Sequence, residues 1–345
     1  MARPKVNSQT TVGNFELERV LRYLMQECGL LNPGNIYVVF NSDDEAYVQF
    51  AKDHDRIYDD GTQMVHTSLS DAYDATTSNR NDVILLNAHG AHALTTMLTV
   101  DTNRTHFMSM SMRSGAIGMG ARSRVTMGDS TTAGDIALLK NTGVGNTFTG
   151  IKFDSSSTVA ASIYCVAEGG EYTIYKECEI RKTGDKTTTG AADLVANGDS
   201  TQYIRTWIGS GDVSNSPTTA VIRANVLLTM ETTAAGKVCR DNIFEECVLI
   251  KAAGNGANRM VYGGTAGDVN RMCWFKGCMF FNNPESGASC AVAIDMGAAL
   301  TGGAIIVDQN CISVDVTVIG ATGEGVYVHA LDTSTYANAG IAADA

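Results

Sequence analysis

Phe244–Leu249 reads FEECVL and Phe275–Phe280 reads FKGCMF, so both stretches share one pattern. An aromatic residue is followed by two spacers, a small residue of buried type, one spacer and an apolar residue. Three earlier stretches repeat it, namely Phe148–Phe153 (FTGIKF), Tyr175–Ile180 (YKECEI) and Tyr203–Ile208 (YIRTWI). Such a pattern, recurring at a spacing typical of stacked supersecondary units, indicates that each repeat is one unit packed on its neighbours. The sequence therefore predicts a solenoid.

The parity of the three anchor positions predicts what each unit looks like. The last two anchors are separated by one spacer, so in a strand both side chains point to one face. The first anchor has the opposite parity, which requires a corner in between, and Gly150 and Gly277 occupy that place in two repeats. Short strands joined by tight corners predict an all-β solenoid, a parallel β-helix.

The central positions of the repeats are expected to stack into an internal ladder. A sixth, looser coil extends it, because Cys311 lies one further repeat length beyond Cys278 and follows an apolar run at 305–307. Leucine-rich repeats are the main alternative, but their fixed Leu and Asn consensus is missing here. The predicted ladder residues are Ile151, Cys178, Thr206, Cys247, Cys278 and Cys311.

Composition agrees with a solenoid and disfavours several classes of function. The chain has 345 residues, with 35 glycines against 4 prolines, which suits many close corners. Its net charge of -12 is spread without a basic patch, which argues against binding to nucleic acid. The nine cysteines are an odd number without a CxxC pair, so we interpret them as reduced, buried, small apolar residues.

The N-terminal sequence MARPKVNSQTT lacks the apolar core of a signal peptide, and no segment has the length of a membrane span. We therefore expect a protein that is made in a cytoplasm and does not associate with a membrane.

Residues 1–60 are predicted to form a polar arm and a small α/β head. Asn14 is placed to cap a helix that ends before Gly29, an apolar strand follows at 36–40, and the Ser42–Glu45 capping box begins a second short helix. Such a head buries little surface by itself, so we expect it to attach to another protein or to the solenoid.

A further helix is predicted just ahead of the first coil. Ser68 and Asp71 form a capping pair before Leu69, and a buried strand follows at 83–86. This arrangement resembles the entry to pectin-lyase-like right-handed β-helices, in which a helix covers the open end of the solenoid. The resemblance covers about residues 61–330 and implies a right-handed parallel β-helix with an N-terminal capping helix. We assign residues 61–335 to the β-helix and expect the Ala-rich residues 336–345 to be a loose tail or a contact arm.

Candidate chemistry on this scaffold is sparse. Enzymes of this fold are usually polysaccharide lyases or glycosidases, which need paired carboxylates or a basic group beside metal-binding acids. Outward acids on neighbouring coils, namely Asp154, Glu177, Glu179, Glu245 and Glu246, could supply a pair, with Glu177 and Glu246 the catalytic candidates if the protein is an enzyme. The close histidine pair His89 and His92 lacks further ligands, so neither a metal nor a cofactor is expected.

The combination of a polar arm, a small head and a modest β-helix resembles β-helical proteins of tailed bacteriophage virions. This resemblance implies a non-enzymatic structural protein of the virion, made in the host cytoplasm. It further implies a homotrimer that decorates the capsid and binds capsid or tail proteins through residues 1–60. The alternative is a tail spike that binds or cleaves a host surface polysaccharide.

Overall fold

Parallel strands dominate the computed structural model of the chain. It describes residues 11–12, 15–16, 33–41, 58, 61–88, 90–110, 123–130, 132, 134–158, 162–184, 190–215, 223–228, 238–254, 258–283, 288–320 and 325–329. Apart from one antiparallel pair near the N-terminus, all the paired strands belong to three long parallel sheets. The bounds of the strands and the helix follow in chain order.

The N-terminal elements are β1 (Thr11–Val12), β2 (Phe15–Glu16), β3 (Ile36–Val39), β4 (Val65–His66) and the helix α1 (Leu69–Asp74). The first four coils contain β5 (Val83–Leu86), β6 (Ala91–Leu94), β7 (Leu98–Val100), β8 (His106–Ser109), β9 (Ser123–Met127), β10 (Leu139–Asn141), β11 (Thr147–Thr149), β12 (Ile151–Ser155), β13 (Tyr164–Glu168), β14 (Ile174–Lys176), β15 (Glu179–Lys182) and β16 (Ala192–Ala196). The later coils contain β17 (Gln202–Ile204), β18 (Trp207–Asn215), β19 (Ala224–Leu227), β20 (Cys239–Glu245), β21 (Val248–Ala253), β22 (Val261–Tyr262), β23 (Val269–Lys276), β24 (Met279–Asn282), β25 (Cys290–Asp295), β26 (Gly303–Val307), β27 (Ile312–Val314), β28 (Val316–Gly320) and β29 (Val326–Val328).

From β5 onward, every third strand belongs to the same sheet. Sheet 1 runs from β5 through β8 and β11 to β29, sheet 2 from β6 to β27, and sheet 3 from β7 to β28. The chain therefore visits sheets 1, 2 and 3 once in each turn and pairs with itself one turn later. Crossovers between parallel strands are right-handed. The chain forms a right-handed parallel β-helix, as the sequence predicts.

A stack of aromatic rings runs along the interior of sheet 1. Its ring centroids are 4.4 to 6.1 Å apart and its planes are within 25° of parallel, the offset geometry that aromatic pairs prefer. The first anchors of the five sequence repeats supply most of it. The stack consists of Tyr73, Phe107, Phe148, Tyr175, Tyr203, Phe244 and Phe275.

The N-terminal segment differs in part from what its sequence indicates. Strand β3 is present, but it pairs in parallel with β5 and lies in sheet 1 of the solenoid. Residues 15–16 form a strand paired with β1, where a helix capped by Asn14 was expected to begin. The rest of that helix, the second helix from Ser42 and the tail at 336–345 lie outside the described residues. The assignment of residues 1–60 to an attachment unit stays a prediction.

Helix α1 forms where the capping pair indicates. The backbone N–H of Asp71 donates to the Ser68 side chain over 3.4 Å, and Leu69, Ala72 and Tyr73 are buried in the main core. Tyr73 begins the aromatic stack by lying against Phe107. The helix thus contributes apolar side chains to the first coils, and its role as a cover of the solenoid end stays a prediction.

Candidate functional site

One left-handed residue stands at the same corner of five successive coils, between sheets 1 and 2. We call these residues the corner row. Each one directly precedes a ladder residue, and its backbone N–H donates to an oxygen of the next coil over 2.8 to 3.2 Å. A positive φ suits glycine and is unfavourable by about 1–2 kcal/mol for other residues. The corner row, with its φ angles, consists of Gly150 (67°), Glu177 (54°), Arg205 (47°), Glu246 (52°) and Gly277 (58°).

The two carboxylates proposed as catalytic candidates therefore lie in one column. Glu177 and Glu246 are two coils apart, about 9.6 Å along the sheet, with Arg205 between them. Arg205 donates to Glu177 Oε1 from Nη2 over 2.8 Å and from Nε over 3.2 Å. Glu246 is exposed. The Glu177 carboxylate is therefore engaged by the exposed guanidinium of Arg205.

The other outward acids of sheet 2 are also paired with cations. Arg181 Nη2 donates to Asp154 Oδ2 over 2.6 Å, and Lys152 Nζ lies 3.0 Å from Glu179 Oε1. Glu245 is exposed on sheet 1, in register with Lys276. These pairs cross from one coil to the next, as opposite charges on adjacent parallel strands do. They neutralise this surface and stabilise the register of the coils.

The six predicted ladder residues stack in register inside the solenoid. Strand pairing places each above its predecessor, and the first five are fully buried while Cys311 is half-buried. The polar members from Cys178 to Cys311 each donate to the backbone carbonyl of the aromatic anchor one coil earlier, over 3.2 to 3.4 Å. From Cys178 onward the ladder thus uses small side chains that also carry a donor, which Cys and Thr provide, whereas Ile151 at its start is purely apolar.

The cysteines have the character of structural thiols. The eight cysteines among the described residues all lack a disulfide, and seven of them are buried. Burial raises the pKa of the Cys278 thiol well above its usual value, and the hydrogen bond that this thiol donates to Cys247 adds to this. Burial likewise raises the pKa of Cys165. A raised pKa disfavours the reactive thiolate, so Cys165 and Cys278 have the environment of structural thiols.

Sequence reasoning missed a buried carboxylate at the corner between sheets 3 and 1. Glu168 ends β13 and is 1% exposed, and burial raises its pKa to about 7. Its oxygens accept from Tyr175 Oη over 2.7 Å, from Asn141 Nδ2 over 2.9 Å and from the backbone N–H of Gly170 over 2.6 Å. In sequence, Glu168 is one acid before a Gly-Gly turn, and nothing local marks it as buried.

Buried cations form a second feature that the sequence did not indicate, between sheets 2 and 3. Lys251 is fully buried and its Nζ donates to the carbonyl of Arg223 over 2.8 Å, while Lys182 Nζ donates to the carbonyl of Ser157 over 2.9 Å. Burial lowers the pKa of Lys251 to about 7 and raises that of nearby Asp193. The backbone N–H of Lys182 and the amide of Asn225 donate to Asp193. The side chains of Lys251, Lys182 and Asp193 thus act as hydrogen-bond partners for backbone groups where the coils turn.

Of the histidine pair considered for a metal, only one member lies among the described residues. His89 is outside them, whereas His92 is buried and bonds through Nε2 to the carbonyl of Asn87 over 2.7 Å. Across the described ranges, no group of three His, Cys, Asp or Glu side chains is arranged to hold a metal ion. In the same ranges, no helix is long and apolar enough to cross a membrane.

Comparison with known proteins gives matches to solved structures only. A pectin methylesterase from Aspergillus niger is 11% identical, with a TM-score of 0.49, over 91% of this chain and 88% of that one. Pectate lyase Pel9A is 12% identical, with a TM-score of 0.48, over 90% and 82%. The Dettilon tailspike protein is 13% identical, with a TM-score of 0.34, over 96% and 73%. No protein-family model and no curated protein matches the chain.

The three sheets and their register decide the fold. The chain is a right-handed parallel β-helix. Function is a separate matter, because one scaffold hosts many unrelated activities and each activity resides in a particular site.

Proposed function

We propose that the protein is a non-enzymatic structural component of a bacteriophage virion. In this proposal it decorates the capsid as a homotrimer and is held there through residues 1–60. The observation that carries the proposal is the unbroken interior. A single apolar cluster extends from Tyr37 to Val328, and the aromatic stack and the ladder run through it. Such a core makes a stiff, protease-resistant rod, which is a mechanical property.

The condition of the outward carboxylates supports a structural role over a catalytic one. Glu177, Glu179 and Asp154 each lie against a lysine or arginine, within a surface network of ion pairs. A glycosidase requires one carboxyl group that is protonated and available as a general acid. Each of these three carboxylates is instead engaged by a neighbouring cation.

Binding to purified particles tests the proposal. The full chain should sediment with purified capsids, and deletion of residues 1–60 should abolish this. Because that deletion removes β3 from sheet 1, a shorter deletion of residues 1–32, which keeps β3, serves as the matched variant. Normal capsid binding by both truncated proteins would refute attachment through the N-terminal segment, and indifference of the full chain to capsids and tails would refute the virion role.

The column of Glu177, Arg205 and Glu246 supports the alternative, a tail spike that binds or cleaves host surface polysaccharide. The coils that carry Glu177 and Glu246 lie about 9.6 Å apart along the sheet. The two carboxyl groups of an inverting glycosidase lie about 6.5–9.5 Å apart, which leaves room for the attacking water, so the two spacings are similar. Binding of the full chain to tails, with turnover of bacterial surface glycans that is lost in Glu177→Gln or Glu246→Gln, would favour this function over decoration.

A further inference from the structure

The outward face of sheet 2 changes character along the solenoid. On β12 and β15 the outward residues are Lys152, Asp154, Glu179 and Arg181, which pair with one another across the coils. From β18 onward the same two columns become apolar. Strand pairing places Trp207, Val248, Met279 and Ile312 in one column and Ile250, Phe281 and Val314 in the other. We call these seven residues the apolar face.

The apolar face is accessible at its C-terminal end. Ile312 is 52% and Val314 37% exposed, and they are two of the three large apolar residues that are exposed within the described ranges. The other five members are half-buried. Four adjacent strands, about 19 Å of the solenoid, thus present hydrocarbon at positions where the preceding two strands present ion pairs. Contiguous apolar surface of this kind marks an interaction site.

We propose that this face is a contact between copies of this chain. The proposal deepens the homotrimer of the proposed function by naming its surface, and it can hold whether or not the protein binds a virion. Charge supports a second copy as the occupant. The chain carries -12 overall, but among the side chains that the structure describes, the outward positions of β9 to β27 carry three cations (Arg124, Lys152 and Arg181) and two anions (Asp154 and Glu179). Two copies repel each other over most of their surface, and this nearly neutral face allows close approach.

The geometry of the sheet supports the same occupant. Strands repeat about every 4.8 Å in both copies, so a rotation axis parallel to the solenoid sets equivalent coils at equal height. The apolar half then meets the apolar half, and the ion-paired half meets the ion-paired half, whose charges nearly cancel within each copy. The strands from β9 to β27, at about five residues each, give about 500 Å² of flat area per copy, which is the size of a concentration-dependent interface.

Light scattering across a range of protein concentrations tests this with matched single variants. Ile312→Lys places a charge in the apolar face, at an exposed edge strand that tolerates lysine. Tyr172→Lys makes the same change in chemistry at a residue that is 63% exposed at another corner. The wild type and Tyr172→Lys should show a multiple of the 36.5 kDa chain mass, and Ile312→Lys should raise the concentration for half-association at least tenfold.

Circular dichroism checks that each variant is folded. If Ile312→Lys does not fold, Ile312→Thr, which keeps the β-branched shape, should still weaken association severalfold. A wild type that is monomeric at every concentration, or a folded Ile312→Lys or Ile312→Thr protein that associates as the wild type does, overturns the proposal. Capsid sedimentation of the same variants separates the two ideas, since loss of association with retained capsid binding leaves the virion role in place.

Discussion

At the level of single residues, two buried tyrosines that look equivalent in the sequence differ in the hydrogen bonding of their hydroxyl groups. Tyr175 and Tyr203 are adjacent members of one aromatic stack, with centroids 5.3 Å apart, and both are fully buried. Tyr175 donates to Glu168, whereas the hydroxyl of Tyr203 has no hydrogen-bond partner among the described residues. A buried hydroxyl without a partner is unfavourable, and one that serves a carboxylate is stabilising.

Phenylalanine at these two positions should therefore have opposite effects. Tyr175→Phe removes a donor from a buried carboxylate and should destabilise the fold by about 1–3 kcal/mol. Tyr203→Phe removes an unsatisfied hydroxyl and should be neutral or stabilising, since Phe occupies the equivalent position in Phe148 and Phe244. Thermal unfolding of the two variants measures the difference, and equal destabilisation would contradict the account of Tyr203.

Glu168 should make stability fall with rising pH over a defined range. Its pKa in the fold is about 7, against 4.5 for the ordinary group, so the folded state binds the proton more tightly. Its contribution is complete below about pH 4.5 and is lost as the pH rises through about 7, by at most about 1.4 kcal/mol for each pH unit. Glu168→Gln should remove this slope.

The comparison of unfolding midpoints at pH 5, 6, 7 and 8 needs the variant as its reference. His106, whose pKa burial lowers to about 4, loses stability as the pH falls below 6.5 and opposes Glu168 in that range. The difference between wild type and Glu168→Gln cancels His106. If that difference were constant across the four pH values, Glu168 would not titrate as its burial requires.

At the level of structural elements, the corner row shows that a corner can require a positive φ even where the sequence has no glycine. Gly150 and Gly277 signal the corner in sequence, but Glu177, Arg205 and Glu246 adopt the same positive φ with side chains that disfavour it. The stacked coils supply the compensation, because each corner N–H bonds to the next coil. The ladder side chains from Cys178 onward also bond to the previous coil. The conformation is enforced by neighbours one coil away along the chain.

Two glycine substitutions isolate the backbone contribution of this corner. A methyl group at Gly277 meets only the flexible Glu246 side chain at 3.8 Å, and one at Gly267 meets nothing within 4 Å. Both sites have room, but only Gly277 has a positive φ, of 58°. Gly277→Ala should cost about 1 kcal/mol of stability, and Gly267→Ala should be neutral or slightly stabilising. Chemical denaturation of both proteins gives the two values, and a neutral Gly277→Ala would argue against corner strain.

The ladder sets a second requirement on the coils. Cys247 is buried between Thr206 and Cys278 and donates to the carbonyl of Tyr203 over 3.2 Å. Cys247→Asp would bury a carboxylate that faces a carbonyl and should prevent folding, since such a charge is unfavourable by several kcal/mol. Cys247→Ser keeps the donor and should fold, which soluble yield and circular dichroism report. A soluble, fully folded Cys247→Asp protein would show that the ladder assignment is wrong.

For the whole molecule, each coil contacts mainly its neighbours, so the solenoid should tolerate loss of one complete coil. Tyr175 pairs with Tyr203 on the next coil, and deletion of residues 175–202 would place Tyr203 directly above Phe148. The shortened chain should fold and be about 4.8 Å shorter, as measured by small-angle scattering. Deletion of residues 175–188, half a coil, should not fold, because it sets inward residues outward. Failure of both deletions would contradict coil-by-coil stability.

The amino-acid sequence alone specified the solenoid, its coil length, the ladder and the helix at Ser68. These features depend on spacing and parity within short segments, and strand geometry converts both directly into structure. For the candidate site, the sequence predicted that Glu177 and Glu246 point outward on separate coils. It did not predict that Arg205 lies between them and binds Glu177.

Tertiary contacts were needed to establish the pairing of β3 with sheet 1, the burial of Glu168 and Lys251, and the continuity of the apolar face. Each of these depends on which residue lies one coil above or below, a full turn of the solenoid away along the chain. Insertions between strands vary the length of that turn, so no local pattern reveals it. Trp207 and Ile312 become neighbours on one surface only because stacked backbone hydrogen bonds hold the coils between them in register.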